Sequence, residues 1–134
     1  LPFGSVAGAF DADPSAAAGA GPENAVKVYY FYGEPRCDTC RKMEKYTEET
    51  VTGDLKSYLE SGKVAYEPVD MDSPGGKALA EKYGLYTKSV VLSVVKGGLE
   101  TRFVNLAKIW QYIRNKDKFR KYLQAEIDKC LKEL

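Results

Sequence analysis

Seven consecutive residues, Val26-Lys27-Val28-Tyr29-Tyr30-Phe31-Tyr32, carry the β-branched and aromatic content of a buried strand, and Gly33-Glu34-Pro35 then breaks the run. Directly after the break, Arg36-Cys37-Asp38-Thr39-Cys40-Arg41 opens a helical pattern. A buried strand that passes at once into a helix commits the chain to an α/β arrangement in which helices cover a sheet. It also places two thiols, spaced Cys-x-x-Cys, at a strand-to-helix turn. At the start of a helix such a pair is a redox dithiol before it is anything else.

Composition narrows the chemistry further. With 134 residues, 44% of them hydrophobic and 29% charged, the chain makes one soluble domain that can bury a core of its own. Lys and Arg number 20 against 19 Asp and Glu, so no global charge draws it to nucleic acid or to an anionic membrane. No apolar run approaches the roughly 20 residues of a membrane-spanning helix. The chain has no histidine, which excludes an imidazole base, a His-ligated zinc and a Ser-His-Asp triad. Three cysteines cannot all pair with one another, so one dithiol plus a bystander, Cys130, describes them better than a disulfide scaffold. No cofactor is expected.

Residues 1 to 25 hold twelve Ala or Gly, lack helical or strand periodicity and contain Pro2, Pro14 and Pro22. They read as a flexible tail or tether, with the folded domain spanning residues 26 to 134. A chain opening on Leu1 with such a leader is expected to be an exported protein processed behind a signal or lipid anchor, in the periplasm or tethered outside the cytoplasm. A cloning remnant, plain disorder and a cytoplasmic location stand as alternatives.

Past the dithiol, Met43, Thr47, Val51, Leu55, Tyr58 and Leu59 recur at helical steps, with a weak point at Thr52-Gly53 and an end at Ser61-Gly62. Lys63 to Asp70 alternates as a second strand, and Asp72-Ser73-Pro74-Gly75-Gly76 leads into a short helix bearing Ala78, Leu79 and Tyr83, with Gly84 as its cap. Ser89–Val95 and Leu99–Val104, joined by Lys96-Gly97-Gly98, predict an antiparallel hairpin. Leu106, Ile109, Trp110 and Ile113 then predict a helix, and a last one after Asn115 carries Phe119, Tyr122, Leu123, Ile127, Cys130, Leu131 and Leu134. The first two strands should lie parallel and adjacent, with site chemistry at their carboxyl ends.

This element order, the Cys motif, and the segment from Lys82-Tyr83-Gly84-Leu85 into a strand and a Lys-Gly-Gly hairpin resemble the thioredoxin-like superfamily. The resemblance implies a thioredoxin-like α/β fold: a βαβ unit, a helix, a β-hairpin and C-terminal helices in a single domain. It further implies a nucleophilic Cys37 and a resolving Cys40. A thioredoxin carries Trp before the first cysteine, Gly-Pro between the two, a buried Asp six residues before the first, and a cis-Pro at a strand start. Here those positions hold Arg36, Asp38-Thr39, Phe31 and Ser89. Arg-Cys-x-Thr-Cys after a Tyr-Tyr-Phe strand, with a Tyr- and Lys-rich last helix, is similar to a small bacterial thioredoxin-like family named as a nitroreductase or arsenic-cluster subunit. That likeness implies a larger oxidoreductase as partner.

Exchange needs a thiolate that attacks and a second thiol that resolves. The helix dipole, Arg36 and Arg41 favour a Cys37 thiolate, whereas Asp38 opposes it. Lys88 and Ser89 flank the site across the fold, and Ser89 in place of a proline would leave it more open. The expected activity is thiol–disulfide exchange with a protein partner. Its rivals are a dithiol that binds a soft metal or metalloid such as arsenite, a fixed structural disulfide, and a redox-inactive scaffold. Zinc would need ligands from a second chain. Cys130 falls on the apolar stripe of the last helix and reads as a core residue. Tyr29, Tyr30, Tyr32, Tyr83 and Tyr86 read mainly as packing residues, and Glu48-Glu49, Asp70 and Asp72 as solvated or capping carboxylates.

Overall fold

The computed structural model describes residues 23–34 and 37–134. Most of the Ala/Gly/Pro-rich leader, with the tether and export expectations attached to it, and Arg36 lie outside the described residues. The elements run β1 (Ala25–Tyr32), α1 (Asp38–Glu49), a π turn (Thr50–Asp54), α2 (Lys56–Ser61), β2 (Val64–Asp70), α3 (Pro74–Lys82), β3 (Ser89–Lys96), β4 (Leu99–Asn105), a 3-10 segment (Ala107–Tyr112) and α4 (Lys116–Leu131). One four-stranded sheet has the order β2-β1-β3-β4. β1 pairs in parallel with β2 and antiparallel with β3, which pairs antiparallel with β4. In the order of its elements and strands this is a thioredoxin-like α/β domain.

β1 lies between two strands and two helical layers, which explains its near-continuous apolar sequence. Val26, Val28 and Tyr30 face one core with Met43 of α1 and Phe119, Leu123, Ile127 and Cys130 of α4. Tyr29 and Phe31 face the other, with Ala80 and Tyr83 from α3 and the end that follows it. The alternation of β1 therefore sorts its side chains between two separate cores. Each fully buried aromatic or branched side chain contributes about 1.5–3 kcal/mol of transfer free energy. Of the edge strands, β2 is part-buried and β4 mostly exposed, and β2 carries Pro68, which lacks an N–H and is tolerated at an edge.

The hairpin turn forms as its glycines demand, with Gly97 at φ 62° and Gly98 at φ 80°, the left-handed region in which a Cβ is disfavoured. Asn24 Oδ1 accepts from the Gly97 N–H at 2.9 Å, and the Glu23 carbonyl accepts from Gly98 at 3.0 Å. These two bonds tie Glu23 and Asn24, just before β1, to the hairpin turn.

Three local expectations change. The weak point near Thr52-Gly53 is a π turn, where the Leu55 N–H reaches the Thr50 carbonyl five residues back at 2.9 Å. Thr50 and Thr52 hydroxyls each donate to a carbonyl four residues earlier at 2.7 Å, offering the backbone an alternative to regular helix bonds. Asp54 then accepts two bonds from Arg120 and one from Gln124, which fastens the turn to α4. The segment bearing Leu106, Ile109 and Trp110 is a short 3-10 helix instead of an α-helix. In α3 the inward face is Gly76 and Ala80, whereas Ala78 is exposed, because the start of that helix lies almost against the end of β2.

A Cβ built on Gly76 would stand 1.7 Å from the Asp70 carbonyl oxygen, so only glycine allows α3 this approach. Gly76→Ala is expected to destabilise the domain by at least about 2 kcal/mol in urea unfolding. An unchanged midpoint would mean that α3 can shift without cost.

Candidate active site

Cys37 is the N-cap of α1: its backbone is extended, at φ −100° and ψ 170°, and its Sγ accepts the Cys40 N–H at 3.2 Å. A thiol here does the work that a Ser or Asp side chain does at other helix starts, and it meets the positive end of the helix dipole. Cys37 is exposed, whereas Cys40, one turn in, is 4% exposed, and both are free thiols. The two ends of the pair are unequal.

Their ionisation follows that inequality. The Cys40 thiol and the backbone N–H groups at the helix start hold the Cys37 thiol below its ordinary value. Burial pushes the Cys40 thiol up, and its proton shared toward Cys37 adds to the rise, while the Cys37 backbone N–H and, least, the charge of Lys88 partly offset both. The two shifts run in opposite directions, so Cys37 gives up its proton before Cys40 does.

Of the residues expected to flank the dithiol, Asp38 and Arg41 are exposed in the first turn of α1 and Thr39 is half-buried. The Thr39 N–H adds to the lowering of Cys37, and the leading causes are hydrogen bonds instead of the charges of the motif. Lys88 lies in the loop before β3, and its charge is the smallest of the influences on the Cys40 thiol. Ser89 is the first residue of β3, buried opposite Phe31, and its hydroxyl donates to the Thr87 carbonyl at 2.7 Å. Beside it opens a pocket of about 160 Å³ lined by Leu85, Tyr86, Leu106 and Trp110 among others. Tyr86 is 98% exposed there, so it is not a packing residue.

Two site residues escaped the reading of the sequence. Counting six back from the first cysteine lands on Phe31, which is buried in the opposite core with Tyr29 and Tyr83. The side chain beneath the dithiol is Tyr30, fully buried, whose hydroxyl donates to the Cys40 carbonyl at 3.0 Å. Strand alternation was the available signal. Asp72 is the second: its Oδ2 accepts the Glu34 N–H at 3.1 Å, and the Met71 N–H donates to the Tyr32 carbonyl at 2.8 Å, so the end of β2 holds the loop that leads to Cys37. Asp70 Oδ1 accepts the Asp72 N–H at 2.9 Å, a capping role, and Glu49 pairs with Lys116.

Cys130 is buried in the core of α4, with its thiol pushed up by burial and Arg102 Nη2 at 3.8 Å from its sulfur. Among the described residues, no cluster of three or more His, Cys, Asp or Glu side chains is arranged to hold a metal ion, and no helix is long and apolar enough to cross a membrane.

The chain is similar to solved thioredoxins. One from Thermus thermophilus shares 24% identity over 75% of this chain and 80% of its own, with a TM-score of 0.48. The oxidised thioredoxin of Plasmodium falciparum shares 18% over 86% and 93%, with a TM-score of 0.49. Thioredoxin O2 of Arabidopsis thaliana in the oxidised state shares 18% over 84% of each chain, with a TM-score of 0.46. No protein-family model matches the chain, and no curated protein does.

For the reduced protein, Cys37 lies below its ordinary value in the fold, so its thiolate adds stability above the ordinary thiol range that is lost as pH falls through the lowered value. Cys40, held above its ordinary value, acts the other way: its share is present at lower pH and is lost as pH rises through the raised value. Alkylation with iodoacetamide, read by mass spectrometry, is expected to modify Cys37 first, with a midpoint below the ordinary thiol value of about 8.5. Cys40→Ala should move that midpoint up, and a profile that superimposes on the wild type would remove Cys40 as its cause.

Proposed function

We propose that this protein is a thiol–disulfide oxidoreductase that exchanges two electrons with a protein partner through Cys37 and Cys40. The observation that carries the reading is the asymmetry of the pair: an exposed thiol at the helix N-cap, held below its ordinary value, next to a buried thiol held above it. That division matches the chemistry. The Cys37 thiolate attacks one sulfur of a partner disulfide, the partner S–S bond breaks, and the released thiolate takes a proton from solvent. Cys40 then loses its proton and attacks Cys37 Sγ, which forms the Cys37–Cys40 disulfide and releases the second partner thiol. The partner gains two electrons and two protons, and the dithiol loses them; the reverse sequence oxidises a partner. At 4% exposure Cys40 meets substrate sulfur only through Cys37.

The Cys37 backbone N–H and, to a smaller extent, the charge of Lys88 favour the Cys40 thiolate that the resolving step requires. The narrower likeness to a nitroreductase or arsenic-cluster subunit rests on the Arg36–Arg41 motif and the tyrosine-rich strand, and it favours a larger oxidoreductase as the partner. The leader favours an exported setting for the exchange.

Graded glutathione buffers, with free thiols trapped by alkylation and counted by mass spectrometry, test the proposal. A reversible two-electron transition confined to Cys37 and Cys40 is expected. Cys37→Ser should abolish exchange, and Cys40→Ser should accumulate a mixed disulfide on Cys37. A pair that never closes, yet binds arsenite with both thiols, would replace exchange with metalloid capture.

A further inference from the structure

We infer that Tyr30 is the positioning residue of the resolving step: its hydroxyl, donated to the Cys40 carbonyl, holds the buried thiol where it can reach Cys37. The inference rests on the exchange reading above and assigns a role to a side chain outside the Cys motif.

Tyr30 has no access to solvent, and its ring lies in the core with Met43 of α1. The hydroxyl spans from β1 to the first turn of α1 and donates to the Cys40 carbonyl at 3.0 Å. That donation acts on the backbone of the residue whose thiol must move least. The ring is itself fixed from the solvent side by Tyr32, nearly parallel to it at 20° with centroids 6.1 Å apart. Tyr30 also pairs with Val90 of β3 and Pro68 of β2, so the phenol stands on a strand braced on both sides.

Ring closure gains from every degree of freedom already removed from the attacking group. With Cys40 pinned through its own carbonyl, the Cys37–Cys40 disulfide closes with a higher effective concentration of the resolving thiol. Attack by Cys37 on a partner depends on the N-cap thiolate, whose donors include the Cys40 N–H and thiol, so the hydroxyl reaches the first step only through the residue it pins. The hydroxyl therefore bears most directly on the second step, in which the Cys40 sulfur itself must reach Cys37. The hydroxyl is buried and donates to a neutral carbonyl, so it brings no carboxylate beneath the pair.

Tyr30→Phe removes the oxygen and keeps the ring. The expected result is a change in the rates of Cys37 alkylation and of mixed-disulfide formation with glutathione that is smaller than the change in resolution. Resolution by Cys40 should slow about threefold to tenfold. The effective concentration of the pair should fall by the same factor, a rise in potential of about 14–30 mV for a two-electron couple. Val28→Ala, which opens the same core away from the dithiol, serves as the control for lost stability and should not separate the two steps. Equal resolution rates and equilibria in wild type and Tyr30→Phe would overturn the inference and leave the exchange reading standing. So would an equal split in Val28→Ala. A wild-type pair that never closes would overturn both. If Tyr30→Phe does not fold, NMR of the wild type decides: a slowly exchanging Tyr30 hydroxyl proton correlated with the Cys40 carbonyl carbon supports the pin, and its absence overturns it.

Discussion

The burial of β1 on both faces is the constraint from which the rest of the structure follows. The strand is hydrogen-bonded on both edges, to β2 and β3, so its backbone groups are satisfied without water. Its side chains must then find apolar partners above and below. The even-numbered ones meet α1 and α4, and the odd-numbered ones meet α3. With the strand held in this way, the point where it ends is also fixed in space, and that point delivers the chain to Cys37. The Asp72 carboxylate and the Met71 N–H secure the connection from β2. The dithiol thus follows a strand that is paired on both edges.

On that base a single turn of helix makes two chemically different thiols from one residue type. Cys37 caps the helix and is exposed; Cys40 is inside, shielded from solvent and anchored from below by Tyr30. Desolvation raises the inner thiol, and hydrogen bonding to the helix start lowers the outer one. The asymmetry comes chiefly from the hydrogen bonds of the Cys40 thiol and the backbone N–H groups to Cys37 and from the burial of Cys40. The polar interactions far from the dithiol serve other ends. Glu100 accepts from Tyr83 and Ser93 and pairs with Lys82, which ties α3 to the edge strand, and Arg102 pairs with Glu133 across the other face.

Much of this was legible because apolar periodicity is a local property. The strand before Cys37, the hairpin at Gly97-Gly98, the break near Asn115 and the buried Cys130 all appear where the spacing of apolar residues and turn residues puts them. The misses have a common cause in packing between elements. Gly76 faces inward because α3 approaches the Asp70 carbonyl, and nothing local to the helix reveals that approach. The π turn is held by Arg120 and Gln124 from a helix far along the chain. Tyr30 was passed over because residue counting from the cysteine ignores the alternation of the strand, which sends Phe31 to the opposite core.

The sequence by itself determined that a buried strand runs into a helix opening on two cysteines, that the chain has no imidazole, and that two βα units precede a hairpin and a last helix. These are consequences of side-chain type and spacing along the chain. Only the tertiary structure decided that the Cys40 N–H is donated to Cys37 Sγ, that Phe31 enters the opposite core, and that the phenol of Tyr30 reaches the Cys40 carbonyl. Thiol ionisation and positioning depend on desolvation and on hydrogen bonds between segments distant in sequence, and those exist only once the sheet has brought the segments together.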